Sequence, residues 1–261
     1  MLELNKVYNV DCLEGLKMLD DNCIDLTVTS PPYDDLRKYN GYSFDFENIA
    51  KELYRVTKDG GVVVWIIGDQ TTNFNESGTS FKQTLYFKEI GFNLLDTMIY
   101  LKANYPPAYP NMKRYANQFE YMFVFSKGKP KTFNPKQVPK ADIRSSTAKI
   151  TIRQKDGSLK ERIADCSKTT KNATNVWCYS TGGNTATDKI AFKHPAIFPE
   201  KLAQDHILSW SNEGDIVMDI FMGSGTTAKM ALLNNRQFIG FEISKEYCDI
   251  AYNRINGYIY E

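Results

Sequence analysis

With 261 residues, 42% of them hydrophobic, the chain can bury one good core, or one core plus a small insertion. Its longest apolar runs, such as Gly61-Val62-Val63-Val64-Trp65-Ile66-Ile67, have strand length and fall short of a membrane span, and Met1-Leu2-Glu3-Leu4-Asn5 carries no signal region, so a cytoplasmic protein is expected. Five cysteines without a Cys-x-x-Cys pair read as reduced thiols, and with only His194 and His206 beside them they argue against a zinc site.

From the amino terminus, residues 6–10 are extended and apolar, 13–19 repeat at helical spacing, and 24–29 are β-branched, giving strand, helix, strand. The second strand runs into Thr29-Ser30-Pro31-Pro32-Tyr33. An aromatic amino group is a poor nucleophile because its lone pair is delocalised into the ring. Accepting hydrogen bonds from both of its N–H groups makes the nitrogen more tetrahedral and able to attack a methyl sulfonium. The Ser30 hydroxyl and the Pro31 carbonyl can be those acceptors, while consecutive prolines hold the backbone extended and preorganised. Tyr33 offers a face for a base flipped from a duplex. Asp34-Asp35-Leu36-Arg37-Lys38-Tyr39-Asn40-Gly41 follows as a loop, with Arg37 and Lys38 as candidate phosphate contacts.

Residues 49–56 read as an amphipathic helix closed by Asp59-Gly60-Gly61, and 62–67 as a strand buried on both faces. A helix is expected over 81–90, ended at Gly91, with strands over 93–101 and 120–125. Residues 102–118, rich in Tyr, Pro and Asn, form a long loop with Lys113 and Arg114 as further phosphate contacts. Trp65, Trp177 and Trp210 are expected to serve packing rather than base stacking.

Net charge is near zero but unevenly spread. Residues 126–193 hold fifteen Lys and Arg against five Asp and Glu, or +10, while the remainder holds 17 against 26, or −9. Such a block suits a polyanion groove, since phosphate contacts give sequence-independent affinity. Within it, 135–188 is polar and irregular apart from a hairpin-like stretch at Ile150-Thr151-Ile152-Arg153 and Asp156-Gly157. Lys149, Arg153, Lys155 and Lys160 are the candidate DNA contacts there.

Regular alternation resumes at Pro199: a helix through Ser209, a strand over 216–221, a helix over 226–233, a strand over 238–243 and a last helix from Lys245. Helices and strands alternating across short turns argue for an α/β layer fold with a mainly parallel sheet and helices on both faces. Asp219-Ile220-Phe221-Met222-Gly223-Ser224-Gly225-Thr226-Thr227 turns that strand tightly into a helix. Gly223 and Gly225 permit the dihedrals and close approach the turn needs, and the helix start offers free N–H groups. A pyrophosphate could use them, but an uncharged turn also suits the methionine end of S-adenosylmethionine. Glu242, ending the next strand, can accept from both ribose hydroxyls.

Together, in this order, the two motifs resemble the amino-group DNA methyltransferases of the beta arrangement, with catalytic motif first, recognition region in the middle and cofactor motif last. The resemblance implies a Rossmann-like S-adenosylmethionine-dependent methyltransferase fold, circularly ordered, and acting on double-stranded DNA. It divides the chain into a catalytic half (1–130), a basic target-recognition insertion (131–190) and a cofactor half (191–261). It assigns Asp11 and Cys12 to the position against the cofactor adenine, and His194-Pro195-Ala196-Ile197-Phe198-Pro199 to a segment enclosing the methionine moiety. Phe221, Gly223, Gly225, Thr226 and Glu242 match the cofactor turn and acid, with Asp219, Ser224 and Thr227 inside the same motif. A homodimer and a cognate restriction endonuclease are the partners it suggests.

Family members with Ser at the position of Ser30 are mostly similar to cytosine-N4 enzymes, with adenine-N6 as the alternative. Ser30 cannot hold the released proton, which is expected to leave to water. Methylation at cytosine C5 is set aside, because it needs a cysteine nucleophile that normally follows proline, and no cysteine here does. RNA and protein-glutamine methyltransferases keep the motifs in the opposite order. A non-catalytic DNA-binding regulator would show a damaged catalytic turn, and this one is intact.

Overall fold

The computed structural model describes residues 2–32, 44–105, 113–140, 147–165 and 167–257. At its centre lies β2 (Ile24–Thr29), whose β-branched and apolar side chains are buried toward both faces. Before it come β1 (Lys6–Asn9) and α1 (Cys12–Lys17); after it come α2 (Phe46–Val56) and β3 (Thr57–Ile67). A small ribbon, β4 (Thr71–Thr72) with β5 (Asn75–Glu76), leads to α3 (Thr79–Glu89), β6 (Asn93–Lys102) and β7 (Phe119–Ser126). The later elements are β8 (Gln137–Pro139), β9 (Thr147–Arg153), β10 (Leu159–Asp165), β11 (Thr170–Asn172), β12 (Val176–Tyr179), α4 (Glu200–Trp210), β13 (Ile216–Asp219), α5 (Thr226–Leu233), β14 (Gln237–Glu242) and α6 (Lys245–Ile255).

Eight strands form one sheet in the order β1-β14-β13-β2-β3-β7-β6-β12. All neighbours are parallel except β7, which runs antiparallel to both β3 and β6. The uninterrupted run Val62–Ile67 is explained by double coverage. Val63, Trp65 and Ile67 join the cluster with Ile49, Leu53 and Phe87 of α2 and α3. Val62, Val64 and Ile66 are equally buried but outside that cluster, and α4 and α5 pack on β2 and β13. No described helix is long and apolar enough to cross a membrane.

The expected closure of α2 at Asp59-Gly60-Gly61 does not occur. The helix ends at Val56, and Thr57 is already extended, its Oγ1 donating to Leu53 O at 2.6 Å. Two successive β-branched residues favour strand geometry at once. Gly60, at φ +80°, then sits inside β3, where its N–H reaches Lys127 O at 2.7 Å and a Cβ would meet the Lys131 side chain. The strand expected over 216–221 stops at Asp219, because Ile220 and Phe221 already belong to the turn.

The described residues fall into two compact units: residues 135–174, and the rest. This is narrower than the insertion expected over 131–190. Asn134 donates its N–H to Ser209 O at 2.8 Å and its side-chain amide to Leu208 O at 3.2 Å. At the other boundary, Asn175 O accepts from Ile99 N at 2.8 Å and its amide donates to Thr97 O at 3.1 Å. β12 then pairs with β6 as a strand of the main sheet, despite lying in the basic stretch. Lys127 likewise serves the sheet unit, donating to Asn22 Oδ1, Tyr54 O and Thr57 O. The smaller unit consists of the hairpin β9–β10 and the short antiparallel pair β8–β11.

Candidate active site

The carboxyl ends of β1, β14, β13, β2, β6 and β12 and the start of antiparallel β7 all reach the same edge of the sheet, where α/β folds bind ligands. A cavity of about 810 Å³ opens along this edge. Its lining includes Asp11 and Cys12 after β1, Glu242 ending β14, Phe221 to Ser224 after β13, and Ser30 to Pro32 after β2. It also includes His194 and Pro195, and, on the far side, Lys102, Glu120 and Thr181. Two motifs almost two hundred residues apart in sequence thus face one space.

The turn after β13 is held from several directions. Gly223 adopts φ +49° and Gly225, the N-cap residue of α5, φ +79°. A Cβ on Gly223 would stand 3.0 Å from the His194 ring, and one on Gly225 would stand 2.9 Å from the Ala251 side chain. Glu242 accepts from Gly223 N through Oε2 and from Ser244 N through Oε1, each at 2.8 Å, binding two turns together. Burial pushes its carboxyl above the ordinary range, against the pull of these backbone donors. Asp11 caps α1, Oδ1 accepting from Leu13 N at 2.9 Å and Glu14 N at 3.3 Å. His194, in edge contact with Tyr247, accepts from Ala196 N through Nδ1 at 3.1 Å. The residues of the glycine turn, Phe221 to Thr226, are themselves uncharged, and the neighbouring Glu242 and Asp11 carboxylates can meet ribose hydroxyls and an adenine amino group. These residues therefore suit an uncharged-turn nucleoside cofactor such as S-adenosylmethionine.

Asp219, expected among the cofactor contacts, is 1% exposed and does not line the cavity. Its Oδ1 accepts from Thr29 Oγ1 at 2.6 Å and Phe221 N at 3.1 Å, and its Oδ2 from Thr227 Oγ1 at 2.8 Å. The residue preceding Ser30 is thereby tied to the glycine turn and to α5. Burial raises the Asp219 carboxyl to about 6 in spite of those donors. Gly225 and Thr227 stand behind the lining in the same way and act on the turn's shape.

Ser30 is half-buried and Pro31 buried at the end of β2; Tyr33, Arg37 and Lys38 lie outside the described residues. Lys113 and Arg114 are exposed, Arg114 standing 4.0 Å from Glu76. Lys149, Arg153, Lys155 and Lys160 are exposed on the β9–β10 hairpin and its connection, with Lys149 4.0 Å from Glu161. The three tryptophans are buried; Trp65 donates to Gln83 Oε1 at 2.8 Å and Trp210 stacks on Phe133.

Sequence reasoning missed a buried charge network beneath the turn. Arg254 of α6 donates to Ser224 O at 2.6 Å, Thr226 Oγ1 at 3.1 Å, Glu200 Oε1 at 2.8 Å and both Asp188 oxygens at 3.0 Å. Lys229 of α5 reaches Asp188, Glu200 and Thr187 Oγ1, each at 2.7 Å. A lysine within the apolar run Ala228-Lys229-Met230-Ala231 was the available signal, since a buried cation needs a partner.

Comparison with known proteins agrees with this geometry. A family model described as DNA methylase matches residues 24–253. The chain is 60% identical to the orphan methyltransferase M.BamHII of Bacillus amyloliquefaciens over 92% of each protein. It is 32% identical to the type II methyltransferase M.BglII of Bacillus subtilis, over 97% of this chain and 69% of that one. Among solved structures, the fold is similar to PvuII DNA methyltransferase (cytosine-N4-specific), with TM-score 0.70, 22% identity and coverage of 95% of this chain and 85% of that one. It is also similar to the M1.HpyAVI–SAM complex, with TM-score 0.65, 24% identity and coverage of 96% and 98%.

Proposed function

Because the chain belongs to the DNA methylase family, as an amino-group DNA methyltransferase of the beta arrangement that uses S-adenosylmethionine, we propose that its acceptor is N4 of a cytosine flipped out of the duplex. The observation that carries this reading is Ser30, a neutral hydroxyl rather than a carboxylate, opening into the cavity that also holds the glycine turn and Glu242. The name of the PvuII relative, cytosine-N4-specific, supports it.

When bound, S-adenosylmethionine supplies an electrophilic methyl on a sulfonium. Asp11 and Glu242 hold the nucleoside end, while Gly223, Ser224 and the His194 segment shape the space for the methionine end. Ser30 Oγ and Pro31 O accept the two N–H groups of the target amino group and concentrate its lone pair on the nitrogen. The rigid Pro31-Pro32 backbone fixes those acceptors before the base arrives, so little reorganisation is needed in the transition state. The nitrogen sheds a proton after transfer, and because the neutral Ser30 hydroxyl is too weak a base to take it, that proton leaves to water. The exposed lysines and arginine of the β9–β10 hairpin are the proposed phosphate contacts.

Nucleoside mass spectrometry of DNA incubated with the protein and methyl-labelled S-adenosylmethionine tests this. Labelled N4-methylcytosine is the expected product. N6-methyladenine would keep the reaction class and replace the base, and label in neither across DNA of varied sequence would overturn DNA as the substrate.

A further inference from the structure

Opposite the cofactor turn, the cavity ends on an ion pair that none of the steps above uses. Lys102 closes β6 and Glu120 is the second residue of β7, with Tyr100 paired across the strands from Glu120. Lys102 Nζ lies 2.8 Å from Glu120 Oε1, with side chains only 21% and 18% exposed. Withdrawing both charges this far from water is costly, and a strand end needs no such pair. Both residues nevertheless line the cavity together with Ser30 and Pro31. Glu120 takes one of the three ammonium donors and fixes the direction of the others.

The sheet order gives the spacing. β7 and β6 are the second and third strands beyond β2, so with about 4.8 Å between strands they run roughly 10 and 14 Å from it. A pyrimidine whose amino group sits at Ser30 and a lysine reaching back from β6 span that gap. The Watson–Crick edge of cytosine carries the N4 donor, then N3 and O2 as acceptors. That of adenine carries the N6 donor, the N1 acceptor and then a C–H.

We propose that Lys102, held by Glu120, selects the target base by donating to O2 of the cytosine whose amino group is bound at Ser30 and Pro31. The inference rests on the cytosine-N4 reading. Adenine in the same place would present C2–H to a partly buried ammonium and leave its donor unmatched, the kind of mismatch that rejects an analogue. Buried Tyr100 supplies an apolar wall beside the pair, and its hydroxyl is kept protonated by that burial and by the nearby Glu120 charge.

The test compares Lys102→Met and Lys102→Arg in the full chain, measuring N4-methylcytosine and N6-methyladenine formed in mixed-sequence DNA and, by calorimetry, S-adenosylmethionine affinity. Lys102→Met should lose N4-methylcytosine formation by about 100-fold or more, shift the product ratio toward N6-methyladenine and bind cofactor as wild type does. Lys102→Arg, which keeps a donor, should stay within about 10-fold of wild type. Near-normal cytosine methylation by Lys102→Met, equal losses in both variants, or a parallel loss of cofactor affinity would each overturn the proposal while leaving the cytosine-N4 reading intact. Wild-type protein yielding only N6-methyladenine would instead remove that reading, and the proposal with it.

Discussion

Beneath the glycine turn, Asp188, Glu200, Lys229 and Arg254 meet within hydrogen-bonding distance, with Arg254 fully buried and Lys229 nearly so. On the β9–β10 hairpin, Lys149, Arg153, Lys155 and Lys160 stand in solvent, and the Lys149–Glu161 pair there spans 4.0 Å between side chains more than 70% exposed. The same residue types do different work in the two regions. Buried charges must be matched atom by atom, so they fix geometry; exposed ones are screened and loosely held, so they supply a field.

The largest effect should follow from breaking a match. Arg254→Ala leaves Asp188 and Glu200 short of a partner and should cost about 3–5 kcal/mol, read as a lowered denaturant midpoint. A loss below about 1 kcal/mol would mean that water replaces the guanidinium, and the contrast between the regions would collapse. Ser30→Ala should lower turnover by roughly 10²–10³, with cofactor affinity nearly intact. A wild-type rate would take Ser30 out of the chemistry.

Asp219 sharpens the same contrast through pH. Its carboxyl stands at about 6, above the ordinary 3.8, so the neutral acid favours the fold. That contribution is complete below about pH 4 and is lost as pH rises to 6 and beyond, a change of roughly 3 kcal/mol. Measured against Asp219→Asn, which does not titrate, wild type should lose relative stability across this window. A flat difference would mean that water reaches the carboxyl. The smallest effect on stability belongs to the hairpin: neutralising Lys149, Arg153, Lys155 and Lys160 together should leave unfolding within about 0.5 kcal/mol per site. The same variant should flatten the salt dependence of DNA binding, by close to one logarithmic unit of slope per lost phosphate contact. An unchanged slope would return those residues to a merely solvated role.

What the sequence made legible follows the same division. The helix at 226–233 is readable because Gly225 ends the turn and an apolar run follows, and β2 because six consecutive residues suit a buried strand. Gly60 misled because a glycine after a helix usually caps it, whereas here Thr57 had already turned the chain into β3. β12 stayed hidden since only Trp177 and Tyr179 face inward within a polar, basic stretch. Ser30, Gly223 and Glu242, which line the cavity, belong to local motifs that the sequence displays. Arg254 was not, because its partners Asp188 and Glu200 lie 66 and 54 residues away, and no local pattern records such a meeting.

The two asparagines that bound the smaller unit carry a consequence for how such a chain can change. Asn134 and Asn175 each complete their hydrogen bonds to the sheet unit, at Ser209 and Leu208 on one side and at Ile99 and Thr97 on the other. Everything between them is a cassette with its ends already tied off. Ser30, Gly223 and Glu242 lie outside that segment, and the hydrogen bonds of Asn134 and Asn175 to the sheet unit do not depend on what residues 135–174 are.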